Sequence, residues 1–214
     1  MCSKGSKLRD TRNRFSGSVL AVPDNDAIRD FFHRWRIKVH YTLKRPTFHS
    51  WLRPLSNCIA INCDGSVKDG RGGYGAIACD RMGSVLFVVA GGSRDTNIMR
   101  MELEAIWCGH RRAYATGGLR IHVRSDSLCA IQMINGGYHT PWHCMDLVED
   151  IGSLKEAFSC CTFLHIMREA NFCADFLASF AHGDQEILFS LTSLPMALTH
   201  LVREDAKGRR YQRI

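Results

Sequence analysis

Cys58-Ile59-Ala60-Ile61-Asn62-Cys63 runs directly into Asp64-Gly65-Ser66. A short apolar run ended by Asp-Gly-Ser reads as a buried strand meeting a turn. Lys68-Asp69-Gly70-Arg71-Gly72-Gly73 then forms a glycine-rich connection, and Tyr74–Cys79 is a second strand. Asp80-Arg81-Met82-Gly83 reads as a tight turn, followed by a third strand over Ser84–Ala90, apolar on both faces. Three strands joined by short glycine turns make an antiparallel meander.

Helical periodicity takes over beyond the meander. Met101–Tyr114 sets Leu103, Trp107, His110 and Tyr114 on one stripe, and Gly117-Gly118 ends it. Leu119–Arg124 reads as a strand, Ser127–Ile134 as a short helix and Pro141–Phe158 as a longer one. Cys160–Ile166 is a fifth strand, and Asn171–Ala181 an apolar helix. The order β-β-β-α-β-α-α-β-α describes an α/β fold, a mixed five-stranded sheet with helices packed on it. The expected organisation is an N-terminal extension over 1–56, a domain over 57–182 and a C-terminal tail over 183–214.

The charge is unevenly spread. Of the net +7 over 214 residues, residues 1–56 hold 12 Lys and Arg against 4 Asp, a net +8, and residues 57–182 carry −2. A basic arm on a near-neutral body suggests a polyanionic partner such as nucleic acid; a solvated tail is the bland alternative. Within the arm, Asp24–Lys44 reads as a basic amphipathic helix with Ile28, Phe31, Phe32, Trp35 and Val39 on one side. It would pack on its own domain or on a protein partner. No apolar run is long enough to span a bilayer. Met1–Gly17 lacks the apolar core of a secretory signal, and Asp10, Asp24 and Asp26 argue mildly against an organelle transit peptide. The 10 cysteines form no Cys-x-x-Cys pair and most lie in apolar stretches, so they read as buried thiols of a reducing compartment, cytosol or nucleus.

Four carboxylates stand at awkward places. Asp64 closes the first strand. Glu102 opens a helix in line with Ile106, Gly109 and Ala113, an apolar stripe where an unpaired charge is expensive. Asp126 closes the fourth strand between Ser125 and Ser127, and Asp175 lies near the start of the last helix. Each has a plain explanation: Asp64 as a turn former, Asp126 as a helix cap, Glu102 and Asp175 as partners of a helix dipole. Several carboxylates share one place only if cations neutralise them, and an all-oxygen set favours Mg²⁺ or Mn²⁺.

Cys63-Asp64-Gly65-Ser66, Arg100-Met101-Glu102-Leu103, Ser125-Asp126-Ser127 and Arg168-Glu169-Ala170-Asn171 with Ala174-Asp175, in that order, resemble type 1 ribonuclease H. In detail the chain looks like the plant ribonuclease H-like domain of non-LTR retroelement reverse transcriptases, over roughly residues 57–182. The resemblance implies a ribonuclease H-like fold and endonucleolytic hydrolysis of the RNA strand of RNA–DNA hybrids, with two Mg²⁺ ions (Mn²⁺ as a substitute). Asp64, Glu102, Asp126 and Asp175 would be the catalytic metal ligands. Gly65, Ser66, Asn97, Arg100, Ser127, Arg168 and Asn171 would contact substrate, largely independently of base sequence.

The chain departs from that pattern at three places. Many relatives carry an Asn pair before the catalytic Glu, whereas Asn97 is followed here by Ile98-Met99. Pro141–Cys160 has no room for an extra basic hybrid-binding helix, a part the N-terminal arm would take over. A catalytic His loop is absent: His165 reads as a strand residue, and either Arg168 or no residue takes that role. Two further readings keep the fold without the chemistry: a non-catalytic nucleic-acid-binding module, and a protein-interaction domain or retroelement remnant. A monomer is expected.

Overall fold

The computed structural model of the protein describes residues 21–42, 46–180 and 185–213. The sequence reading of Met1–Gly17 and the last residues of the expected 24–44 helix lie outside them. The chain forms two compact units: Met1–Thr47 with Gln212–Ile214, and Phe48–Tyr211.

In the first unit, strand β1 (Ala21–Pro23) is followed by helix α1 (Asp26–Arg34) and strand β2 (His40–Thr42), which pairs parallel with β1. Asn25 caps α1, its side chain accepting from Ile28 N at 2.9 Å. The helix is shorter than its periodicity predicts. Trp35 ends it, and Arg36 turns the chain with a φ of 52°, so Ile37–Tyr41 leave the helix despite their apolar spacing.

From residue 47 onward the order is β3 (Thr47–His49), β4 (Ile59–Lys68), β5 (Arg71–Cys79), β6 (Val85–Ser93), α2 (Ile98–Ala115), β7 (Arg120–Ser125) and α3 (Leu128–Ile134). It continues with α4 (Met145–Lys155), β8 (Cys160–His165), α5 (Phe172–Phe180), β9 (Glu186–Leu188), α6 (Met196–Ala206) and β10 (Tyr211–Arg213). The main sheet runs β8-β7-β4-β5-β6-β9. β4 pairs parallel with β7, and β7 with β8; β4-β5, β5-β6 and β6-β9 pair antiparallel.

The sheet is therefore mixed as expected, but it has six strands rather than five. The sixth is β9, from the stretch read as a tail. Three residues are too few to display alternation, so nothing local marks it. Its anchor is distant: Glu186 pairs with Arg111 at 2.7 Å and with Arg112, both on α2. The tail also supplies α6, whose Leu198 is fully buried in a cluster with Trp51, Ile77, Val88, Cys173 and Leu177. On the sheet's other face, α2, α3 and α4 pack over Ile61, Cys63, Ile121 and Val123. The nine described cysteines are free thiols.

The β4–β5 hairpin turns on Asp69 and Gly70, with φ of 51° and 72°, the left-handed pair a two-residue hairpin needs. Beyond the turn, the glycines of β4 and β5 answer to helix packing. A Cβ on Gly75 would stand under 3.0 Å from Leu177 Cβ and Ala178 N of α5. α5 thus rides directly on the sheet.

The buried tail helix gives a stability test. Leu198→Ala should cost about 2–5 kcal/mol in urea unfolding. Met196→Ala, at a side chain 87% exposed on the same helix, should stay within about 0.5 kcal/mol of wild type.

Candidate active site

Asp64 is not a turn residue. It is the sixth residue of β4, interior to the sheet, and only 5% exposed. The next residue, Gly65, lets α2 come down onto the strand. A Cβ there would stand under 3.0 Å from the backbone of Met101 and Glu102. The contact is completed by Gly65 N–H donating to Glu102 Oε2 at 3.2 Å. Glu102 lies in the second turn of α2, after the cap at Asn97, so it is not a dipole partner at the helix start. Lower on the same stripe, a Cβ on Gly109 would meet Ala76 and Ile61 at 2.9 Å, so α2 hugs the sheet along its length.

Asp126 follows β7 directly. The cap of α3 is Ser127, whose Oγ accepts from Ala130 N at 3.4 Å. Asp126 is therefore left out of helix capping. Its Oδ1 accepts from Asn171 Nδ2 at 3.0 Å. Ligand atoms of Asp64, Glu102 and Asp126 lie within 4.8 Å of one another. Asp175, in the first turn of α5, is not one of these three; Arg168 pairs with it at 3.0 Å.

The remaining expected site residues fall into two groups. Asn171 is 1% exposed and faces inward: besides Asp126, its Nδ2 donates to Cys63 O at 3.0 Å, so it holds the carboxylate strands together. Ser66 Oγ donates to Ala178 O at 2.8 Å, tying β4 to α5, and Ser127 is a cap. Asn97 and Arg100 line a surface groove with Trp142, a ring 84% exposed. Arg100 forms a two-pronged pair with Asp146 at 2.8 and 2.9 Å.

Two supporting residues escaped the sequence reading. Asn62 Nδ2 donates to Asn171 Oδ1 at 3.0 Å, and Trp51 Nε1 donates to Asn62 Oδ1 at 3.2 Å. The available signal was Asn62 itself, an amide inside an otherwise apolar strand, which needs buried partners.

Electrostatics bind the three carboxylates together as a problem. Burial, the Glu102 charge and a hydrogen bond with Asp126 push Asp64 up to about 10. Burial and the Asp126 charge push Glu102 up to about 8, against the Gly65 and Ser125 hydrogen bonds that lower it. No Lys or Arg forms an ion pair with Asp64, Glu102 or Asp126 among the described residues. An all-oxygen donor set that resists ionising together is the setting a hard divalent cation relieves.

The reverse transcriptase-like family matches residues 62–181, which is more than half of the chain and contains all four carboxylates together with Asn62 and Asn171. The chain belongs to that family. Solved ribonuclease H structures share the fold of this reverse transcriptase-like domain. The N-terminal RNase H domain of Rv2228c from Mycobacterium tuberculosis is 23% identical, with a TM-score of 0.56 over 58% of this chain and 92% of that one. RNase H1 from Halobacterium salinarum is 20% identical, with a TM-score of 0.55 over 58% and 96%. LC11-RNase H1, isolated from compost and solved in complex with an RNA/DNA hybrid, is 24% identical, with a TM-score of 0.54 over 57% and 95%. The domain is thus ribonuclease H-like, with β9 and α6 lying beyond the residues that the family matches. No curated protein matches the chain in sequence. No helix among the described residues is long and apolar enough to cross a membrane.

The raised carboxylates set a pH dependence. Without metal, the folded protein holds protons on Asp64 and Glu102 that the unfolded chain releases from about pH 4. These two groups therefore cost the fold nothing below that value and destabilise it increasingly as pH rises toward about 8 for Glu102 and about 10 for Asp64. Asp64→Asn should unfold at a higher temperature than wild type in EDTA at pH 8, by about 2–4 °C for each kcal/mol relieved, with the gap closing near pH 4. Mg²⁺ should stabilise wild type more than the variant.

Proposed function

We propose that this chain hydrolyses the RNA strand of RNA–DNA hybrids, with two divalent ions held by Asp64, Glu102, Asp126 and Asp175. The observation that carries this reading is the approach of three carboxylates, Asp64 buried and Glu102 and Asp126 half-buried, to within 4.8 Å, with no Lys or Arg in an ion pair with any of them among the described residues. Two Mg²⁺ ions, or Mn²⁺ in their place, would supply a water acidic enough to attack phosphorus and a positive charge beside the leaving 3′-oxygen.

The chain's own residues do the rest. Asp64, Glu102 and Asp126 would hold one ion, and Asp64 with Asp175 the other. Asn171 fixes the direction of Asp126, and Gly65 N–H fixes that of Glu102. Arg168 balances the charge of Asp175 and would give it up when a metal arrives. The backbone at Gly65-Ser66, with Asn97 and Arg100 beside the exposed Trp142, would face the hybrid. Sugar and phosphate contacts of this kind select RNA by its 2′-hydroxyl without reading bases. The basic N-terminal arm would add salt-sensitive affinity. The resemblance to plant retroelement reverse transcriptases supports a retroelement ancestry.

The test is cleavage of a labelled RNA–DNA hybrid with Mg²⁺ and with EDTA. Wild type should cut the RNA strand alone and only with metal. Asp64→Asn should lose at least about a hundredfold, more than the loss expected for residues that merely support a ligand. A folded wild type that binds hybrid yet fails to cut with Mg²⁺ or Mn²⁺ would leave the non-catalytic binding module as the reading.

A further inference from the structure

Arg124 is a cation the nuclease reading does not use. It occupies β7 opposite Asn62 of β4, and it is 6% exposed. No Asp or Glu pairs with it among the described residues. Its one hydrogen-bond acceptor there is the carbonyl oxygen of Leu52, which takes a proton from Nη1. The Trp51 ring lies 5.9 Å away on the apolar side. A guanidinium carries five N–H donors and stays charged at any ordinary pH. Burying one without a counter-charge costs far more than a single carbonyl returns.

The remaining donors have somewhere to point. Arg124 lines a cleft of about 220 Å³ whose other polar walls are His49, Ser50 and His165, with Trp51 and Met167 as apolar walls. That is smaller than the roughly 300–1,000 Å³ of pockets for drug-sized ligands, so the occupant is small. A planar fork with imidazole and hydroxyl donors around it suits an oxyanion with more than two oxygens, a phosphate rather than a carboxylate.

We propose that the Arg124 cleft is a phosphate site, separate from the carboxylate centre. It takes a phosphate monoester, either inorganic phosphate or the terminal phosphate of a nucleic acid strand. The Ala170 carbonyl, in the lining of the cleft, accepts from Asn62 Nδ2 at 3.3 Å, so the amide pair Asn62–Asn171 links the cleft to Asp126 by hydrogen bonds.

The measurement is phosphate binding in EDTA, which keeps metal-bound phosphate out, by calorimetry and ³¹P line broadening on the full chain. The ligands are inorganic phosphate and one DNA oligonucleotide with either a 5′-phosphate or a 5′-hydroxyl. Wild type should bind phosphate, and Arg124→Gln should bind it about tenfold or more weakly. Should Arg124→Gln fail to fold, His165→Asp serves, since it sets a carboxylate at an exposed wall of the cleft and should abolish binding without touching the core. Discrimination between the two oligonucleotides assigns the site to strand ends; binding of inorganic phosphate alone assigns it to the free anion. No binding by wild type, or equal binding by the variants, would overturn the proposal and leave Arg124 as a clamp on Leu52. Hybrid cleavage is a separate readout, so loss of the phosphate site and loss of the nuclease reading are distinguishable.

Discussion

The contact between Gly65 and the backbone of Met101 and Glu102 is the constraint on which the site depends. A helix ordinarily stands off a sheet by the thickness of side chains on both surfaces. Here β4 offers no side chain at the position α2 crosses, so the helix backbone meets the strand directly. That approach lets Glu102 accept from Gly65 N–H and brings its carboxylate beside Asp64 and Asp126. Gly109, two turns further along the same stripe of α2, meets Ala76 and Ile61 in the same way, and Gly75 repeats the device on the opposite face for α5. The sheet's small residues thus fix the distance at which acidic groups from three separate elements meet.

Close approach creates strain of an electrostatic kind. Asp64 and Glu102 are both driven toward their protonated forms by burial and by neighbouring carboxylates. A fold gains nothing from such a cluster unless something positive occupies it, which is why the geometry and the charge point to the same chemistry. The surrounding network carries no charge of its own. Trp51, Asn62 and Asn171 form a chain of neutral hydrogen bonds that ends on Asp126, so the carboxylate is oriented without being neutralised. Arg168 is the exception, and it engages Asp175, the one acid standing apart from the clustered three.

Much of this was legible in the sequence because local signals and final structure agree. The apolar run before Asp64 and the glycine-punctuated strands after it read as an antiparallel meander, although the first strand runs on through Asp64-Gly65-Ser66 to Lys68 where a turn was expected, and the acids at 64, 102, 126 and 175 stood out by their places at strand ends and helix starts. What stayed hidden depends on contacts between distant residues. Asn171 is 108 residues from the Cys63 carbonyl it donates to, and nothing near it announces that partner. β9 is a strand only because β6 lies beside it and Arg111 and Arg112 hold Glu186. α1 stops short because Arg36 adopts a left-handed conformation, which no glycine or proline announces. Capping by Ser127 rather than Asp126 is likewise unannounced, and it leaves the aspartate to Asn171 and the carboxylate cluster.

The most direct test of this account is Mn²⁺ binding, followed by electron paramagnetic resonance, in wild type and in Gly65→Ala. The substitution leaves all four carboxylates in the chain but denies α2 its approach. A folded Gly65→Ala protein should bind Mn²⁺ at least about tenfold more weakly than wild type, because its ligands no longer converge. Equal affinity in the two proteins would contradict the claim that this single close contact assembles the site.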